Sequence, residues 1–298
     1  AGKERALNAW SGEARADFLV SLDQLETDLP RVSQVALTVG WFGTSIAAGM
    51  CEIHPGVEVR ERVTVPYAWE VAGVTRGDAY VISRDEGGNP NYGGTPADRC
   101  VIGAIREMNA RGLSVTLSPF LFMDSEGFPW RGRIGVSADG TAAARSEIDA
   151  FVNGANGFRR FILHHAQLAA EAGGVEAFLI GSEMVGLTRV RDEAGAFPFV
   201  EALVALAAEQ GTCCSRSTRY GQARMWISSG WTGIRRLATG ATARRTWTPW
   251  RDMRRRTTRP IWHRRSQAAR RMTGIMPMAR RAMHRRACLF RMVRMGST

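Results

Sequence analysis

Apolar positions in the first two-thirds of the chain switch repeatedly between helical and strand spacing. Phe18, Leu22 and Leu25 recur at helical intervals, and Leu29-Pro30 closes that segment. Val35-Ala36-Leu37-Thr38-Val39 then predicts a buried strand, with Gly40-Trp41-Phe42-Gly43 as the loop beyond it. The stretch from Cys51 to Tyr92 is less regular, with Tyr80-Val81-Ile82-Ser83 as a second short strand and a turn-rich loop over Asn89–Pro96. Asp98 is placed to cap a helix whose stripe is Val101, Ile102, Ile105 and Met108. Gly112 stops that helix, and Leu113-Ser114-Val115-Thr116-Leu117 follows as a strand. Gly154 and Gly157 precede a helix with Phe161, His165, Leu168 and Ala172 on one face. The strand Ala177–Ile180 comes next, closed by Gly181-Ser182-Glu183, and Pro198 opens a helix through Leu203 and Leu206.

Strands alternating with helices predict parallel βα units, and near-continuous apolar strands predict a sheet buried on both faces. That order suits a doubly wound sheet and a barrel alike. The alternation stops near residue 210, and the charge balance changes there. The chain carries a net +12 over 298 residues. Residues 211–298 hold 22 Arg, no Lys and a single acid, Asp252, whereas residues 1–210 carry 18 basic against 27 acidic side chains. The sequence therefore divides into 1–210 and an Arg-rich tail, 211–298, with no apolar period and an expectation of disorder.

Several chemistries lack their motifs. There is no phosphate-binding Walker loop, no GxGxxG after a strand, no HExxH and no GxSxG. Cys51, Cys100, Cys213, Cys214 and Cys288 show neither a CxxC pair nor zinc spacing, so the expectation is small incidental thiols, no metal and no cofactor. No run is long and apolar enough for a membrane helix, and the start, Ala1-Gly2-Lys3, has no signal core. The missing initiator Met suggests a fragment of a longer chain.

Six segments, in order, resemble the TIM-barrel-like domain of gene transfer agents. They are Ala6-Leu7-Asn8-Ala9-Trp10, Gly40-Trp41-Phe42-Gly43, Tyr92-Gly93-Gly94-Thr95-Pro96 with Asp98, Ser118-Pro119-Phe120 with Met123-Asp124, Pro129-Trp130-Arg131-Gly132-Arg133-Ile134, and Gly181-Ser182-Glu183. Singly each is weak; together they span about 200 residues. The resemblance implies an α/β fold, a glycoside-hydrolase-like (β/α)8 TIM barrel, of which 1–210 supplies the N-terminal half to two-thirds. It also implies a tail-tip or host-specificity protein of a phage-like particle, assembled in the bacterial cytoplasm and acting outside the cell. Its partners would be a bacterial cell-envelope glycan and other tail proteins. The chain departs from the family pattern at Thr44-Ser45, in the short link from Asp124 to Pro129, and at His165.

Glu183 is the strongest candidate for chemistry. It follows a strand at its carboxyl end, the face on which TIM barrels carry active sites. The resemblance implies the general acid/base that follows the fourth strand of related glycosidases; the alternative is a carboxylate that ties down a loop. Hydrolysis needs a second carboxylate, expected from a later strand. Asp124 is placed to line the same face or to cap its own loop. Trp41, Phe42, Tyr92 and Trp130 are candidate sugar-stacking aromatics on strand-end loops, with packing into the core as the alternative. Arg131 and Arg133 either bind acidic glycans or pair with local acids. His164 and His165 are adjacent in a helix, point different ways, and are expected to be packing or surface residues.

Where the family continues with a segment reading roughly His-Leu-Asp-Pro-Leu-Trp, this chain has Arg245-Thr246-Trp247-Thr248-Pro249-Trp250-Arg251. Shifting the frame by one base joins the last base of the Trp247 codon to Thr248 and spells Asp. The same shift at Trp250-Arg251 spells Ala, and the whole stretch can become His-Leu-Asp-Pro-Leu-Ala. The tail from about 211 is therefore expected to be a frameshifted translation, with a basic nucleic-acid-binding arm as the less favoured reading. Resequencing the codons for residues 205 to 260 should find one missing or extra base. An uninterrupted read encoding the tail as written would overturn the expectation.

Overall fold

A parallel core explains most of the apolar pattern. In the computed structural model the described residues are 8–9, 11–13, 15–127, 130–214, 224–228 and 234–237, all within one compact unit of the chain. Helix α1 (Asp17–Asp28) leads into strand β1 (Gln34–Gly43). An insertion follows with short strands β2 (Ile53–His54), β3 (Gly56–Val57), β4 (Glu70–Val71), β5 (Val74–Thr75) and β6 (Tyr80–Val81). Helix α2 (Asp98–Ala110) then leads to β7 (Ser114–Met123), followed by α3 (Ala142–Asn153), α4 (Phe158–Glu171) and β8 (Ala177–Ser182). The one-turn α5 (Val185–Thr188), α6 (Pro198–Cys214), β9 (Arg224–Ser228) and β10 (Ile234–Leu237) complete the described elements.

The main sheet runs β10-β9-β8-β7-β1-β2. Strands β1, β7, β8 and β9 are parallel neighbours in chain order. A doubly wound sheet reverses its strand order at a switch point; none occurs here. The crossover helices α2, α4 and α6 pack side by side, α2 on α4 and α4 on α6. Winding in one direction with the helices on one side is the geometry of a barrel wall. β1 and β7 pair over their whole length, from Gln34 opposite Ser114 to Gly43 opposite Met123.

Strand alternation decides which side chains meet the helices. Val115, Leu117, Leu121 and Met123 of β7 are buried, together with Val101, Ala104, Ile105 and Met108 of α2 and Phe158, Phe161, Ile162 and Leu168 of α4, in one core cluster. The other face is not closed: Gln34, Ala36 and Thr38 of β1 are exposed, and Ser114, Thr116, Ser118, Phe120 and Phe122 of β7 are half-buried. This corrects the expectation of burial on both faces. The strands read as apolar runs, yet β7 alternates strictly.

Other local expectations change too. Strands β1 and β7 extend through Gly43 and Met123, so Gly40-Trp41-Phe42-Gly43 is strand rather than loop, and Ser118-Pro119-Phe120 continues the strand that begins at Ser114. Pro119 has no N–H to offer, and the ladder from β7 to β8 ends at Leu117 opposite Phe178, two residues earlier. β6 lies in a separate small sheet with β3, not in the barrel wall. Asp98 does not cap α2: Ala97 holds that position, and the Asp98 carboxylate accepts from Ala72 N and pairs with His164 Nε2. Helix α3 has no counterpart in the sequence reading. Helix α6 runs through residue 210 to Cys214, and β9 follows, parallel to β8. The Arg-rich residues from 238 onward lie outside the described ones.

His165 is fully buried in α4 against Trp41 and Phe161, with Nδ1 on the Phe161 carbonyl at 2.8 Å. Burial pushes its imidazole down to about 3. The unfolded chain binds that proton near pH 6.5, so the neutral ring's contribution is complete above that value and is lost as pH falls toward 3. Between those limits stability should fall by up to about 1.4 kcal/mol per pH unit from this group alone. In urea melts from pH 7 to 4, wild type should lose stability more steeply than His165→Phe as pH falls. Parallel curves would remove His165 from the acid response.

Candidate functional site

The carboxyl ends of β1, β7 and β8 lie at one rim, and the loops that leave them interlock. Ala47, after β1, bridges Gly135, after β7, with Ala48 N donating to the Gly135 carbonyl at 2.8 Å and Gly135 N to Ile46 O at 3.0 Å. The loop after β8 packs tightly on the same segment: a Cβ on Gly186 would lie 2.1 Å from the Ile134 carbonyl oxygen. Only glycine fits α5 against the 131–134 turn, which fixes Glu183 relative to Trp130 and Arg131.

Glu183 is the first residue past β8 and has φ +58°, left-handed backbone that a residue with a Cβ adopts at a cost of about 1 kcal/mol or more. Its neighbours hold it there. Arg131 Nη2 lies 2.9 Å from Glu183 Oε2, and Trp130 Nε1 donates to the same oxygen at 3.0 Å. Arg131 Nε donates to the Ser182 carbonyl at 2.8 Å. Both side-chain donors converge on Oε2; among the described residues none reaches Oε1. The carboxylate is 28% exposed, Trp130 37% and Arg131 only 7%. The result is a carboxylate with one oxygen fixed and one presented, beside an exposed indole.

Arg131 is buried where β7 and β8 separate. Its guanidinium carbon sits 3.9 Å from the Phe120 ring centroid, and desolvation lowers its pKa while Glu183 pulls it back up. Pairing with a local acid is thus the reading the geometry takes; Arg131 has no face left for an acidic sugar. Arg133 points outward and is exposed.

The remaining candidates separate into two groups. Trp41 and Phe42 are fully buried in β1, which corrects their placement on a binding loop. Trp41 packs on Phe161, His164 and His165 of α4, and Phe42, on the opposite face, on Tyr80, Tyr92 and Phe122. Tyr92 is half-buried, and its hydroxyl donates to the Met123 carbonyl at 3.0 Å. Asp124 is buried at the end of β7 and accepts from Tyr80 Oη at 2.8 Å, Ser83 N at 2.8 Å and Ser83 Oγ. Its oxygens are spent fastening the insertion to the barrel wall. Burial, reinforced by this carboxylate, raises the Tyr80 phenol well above its usual range, and Tyr92 is raised for the same reasons.

Sequence reading missed Phe120 and Phe122. They stand on the half-buried face of β7, 4.8 Å apart between ring centroids, and continue from Arg131 to Tyr92. The signal was the alternation that places both on one face. The described residues contain no cluster of three or more His, Cys, Asp or Glu able to hold a metal ion, and no helix among them is long and apolar enough to cross a membrane.

Comparisons with known proteins bear on this rim. Residues 156–243 match the family model of the GTA TIM-barrel-like domain, and residues 89–195 match that of Glycoside Hydrolase Family 113. The first match includes Glu183 and runs past residue 210; the second includes Tyr92, Asp124, Trp130, Arg131 and Glu183. No curated protein matches. Two solved structures of GH113 beta-1,4-mannanase are 15% identical, with TM-scores of 0.40 and 0.37 over 71% and 70% of this chain. The chain spans about half the length of those structures, 49% and 48%.

Arg131→Met removes the donor to the Ser182 carbonyl and half the hold on Glu183, and should cost about 2–4 kcal/mol of stability in urea melts. Arg131→Lys should cost nearly as much, because one ammonium cannot serve both acceptors and stack on Phe120. Full recovery by lysine would show that charge alone matters there.

Proposed function

Taking as premise that the chain carries part of a glycoside-hydrolase TIM-barrel-like domain, we propose that it recognises a bacterial cell-envelope glycan at the rim formed by Trp130, Glu183 and the loops after β1, β7 and β8. The observation that carries this reading is Glu183 itself. A carboxylate on left-handed backbone at the end of a parallel strand is held through Oε2 by Trp130 and Arg131, and its Oε1 has no partner among the described residues. Strained backbone held in place by its surroundings is characteristic of functional sites. Trp130 supplies the apolar platform for a sugar ring, and Glu183 the group that donates a proton to the glycosidic oxygen. The match to the GTA family supports a setting at the tail tip of a phage-like particle, as a host-specificity module beside other tail proteins that acts outside the cell after assembly in the cytoplasm.

A second reading, binding without turnover, is favoured by Asp124. Hydrolysis takes two carboxylates roughly 5–10 Å apart, and the oxygens of Asp124 are already occupied by Tyr80 and Ser83. The experiment is sedimentation of the full chain with purified envelope polysaccharide, followed by assay of released reducing ends. Trp130→Ala should weaken binding at least about tenfold. Glu183→Gln should bind within about twofold of wild type and release no reducing ends. Binding by wild type without release establishes the second reading, and absence of binding removes both.

A further inference from the structure

The insertion between β1 and α2 sets two guanidinium groups, those of Arg76 and Arg62, against the Glu58 carboxylate, with Arg84 and Arg60 bonded to backbone carbonyls of the same insertion. Arg76 is only 6% exposed. Its Nε donates to the Val59 carbonyl at 2.9 Å, but neither Nη1 nor Nη2, both sealed from solvent, has a hydrogen-bond acceptor. The nearest acid is Glu58, with Oε2 at 3.8 Å, beyond hydrogen-bond reach. Arg62 approaches the same oxygen at 4.0 Å from the outer side and is 35% exposed. Arg84 donates to the Glu58 carbonyl at 2.8 Å and to Gly88 O at 2.6 Å, and Arg60 Nε to Ala79 O at 2.8 Å. Glu58 also accepts from Gly94 N at 3.0 Å.

A buried guanidinium with unmade hydrogen bonds is expensive, because its donors have lost water and gained no acceptor in exchange. Trp69, 6.0 Å from the Arg76 guanidinium, offers no lone pair. Desolvation and the charge of Arg62 both lower the Arg76 pKa, and Glu58 opposes them without reaching hydrogen-bond distance. The carboxylate that stands between Arg76 and Arg62 is too far to hydrogen-bond either, so Arg76 lacks an acceptor at hydrogen-bond distance on both terminal nitrogens.

We propose that this insertion holds an oxyanion site, built on Arg76 and Arg62 beside Glu58, that takes the carboxylate or phosphate group of a ligand. Arg62 is the outer wall and swings to admit the anion; Arg76 is the fixed floor, held by its Nε bond to Val59. A guanidinium pair suits a planar carboxylate or a phosphate through paired N–H donors. Glu58 competes for the same donors, so the site selects groups that outbid one carboxylate.

The test titrates the full chain with inorganic phosphate and, separately, with glucuronate, at constant ionic strength set by sodium chloride, and follows heat and melting temperature. Saturable binding of either is expected, and which one binds identifies the group. Arg62→Gln should weaken it at least about tenfold, the equivalent of one charge-assisted hydrogen bond. Glu58→Gln should tighten it severalfold. These opposite responses separate a site from general loss of stability, which would weaken both variants. Binding that is unchanged in both variants means an adventitious ion only and overturns the proposal, as does the absence of saturable binding by either anion. Neither variant touches Glu183 or Trp130, so failure here leaves the glycan reading standing.

Discussion

The buried guanidinium of Arg131 joins the parts of this fold that matter for function. β7 and β8 stop pairing at Leu117 and Phe178, and above that point the two strands separate. Arg131 occupies the opening, stacked on Phe120 of β7 and bonded to the Ser182 carbonyl of β8. A charge in that position costs desolvation energy that its partners must offset. The Ser182 carbonyl, the Phe120 face and Glu183 are those partners, so removing any one unsettles the others. The strained backbone of Glu183 depends on the same joint, because Oε2 is the atom Arg131 and Trp130 share.

A second set of bonds works in the same manner at the other side of the wall. Thr95 is buried, donates to the Gly40 carbonyl at 2.8 Å and accepts from Gly56 N at 3.0 Å. Trp69 Nε1 donates to the Thr95 carbonyl at 2.8 Å. Together with Asp124, which accepts from Tyr80 and Ser83, these bonds tie the irregular insertion to β1 and β7 at two points. An insertion with only two-residue strands has little stability of its own. Its arginine cluster stays organised because the barrel wall supports it.

What the sequence made legible follows from which forces are local. Helices α1, α2, α4 and α6 and the strands β1, β7 and β8 were visible in apolar spacing, since each buries one stripe or face. Their lengths were not. Trp41 and Phe42 follow a glycine, and such a stretch looks like a loop; only pairing with Leu121 and Phe122 makes it strand and buries both rings. Helix α3 was legible in principle, with Thr141 accepting from Ala144 N as its cap and Ala144, Ile148 and Phe151 along one face. The order of βα units could not separate a barrel from a doubly wound sheet, because that distinction lies in strand order across the sheet. Glu183 was found from its place after a strand. That Trp130 and Arg131 meet it, across some fifty residues of chain, was not legible in the sequence, because only the folded loops bring them together. Arg76 left no sequence signal, since an arginine's missing acceptor is visible only once its neighbours are placed.

The two carboxylates at the strand ends divide the functional question. Asp124 has Tyr80 and Ser83 on its oxygens and acts as a fastener. Glu183 keeps Oε1 available. Recognition of a sugar needs a flat apolar face and a few oriented polar atoms, and Trp130 with Glu183 provides both within one interlocked rim. Cleavage needs a second carboxylate across the glycosidic bond, and Asp124, the candidate at the end of β7, already accepts hydrogen bonds on both oxygens. The proposed glycan binding rests on Trp130 and Glu183 alone, whereas hydrolysis asks for a carboxylate besides Glu183 and Asp124.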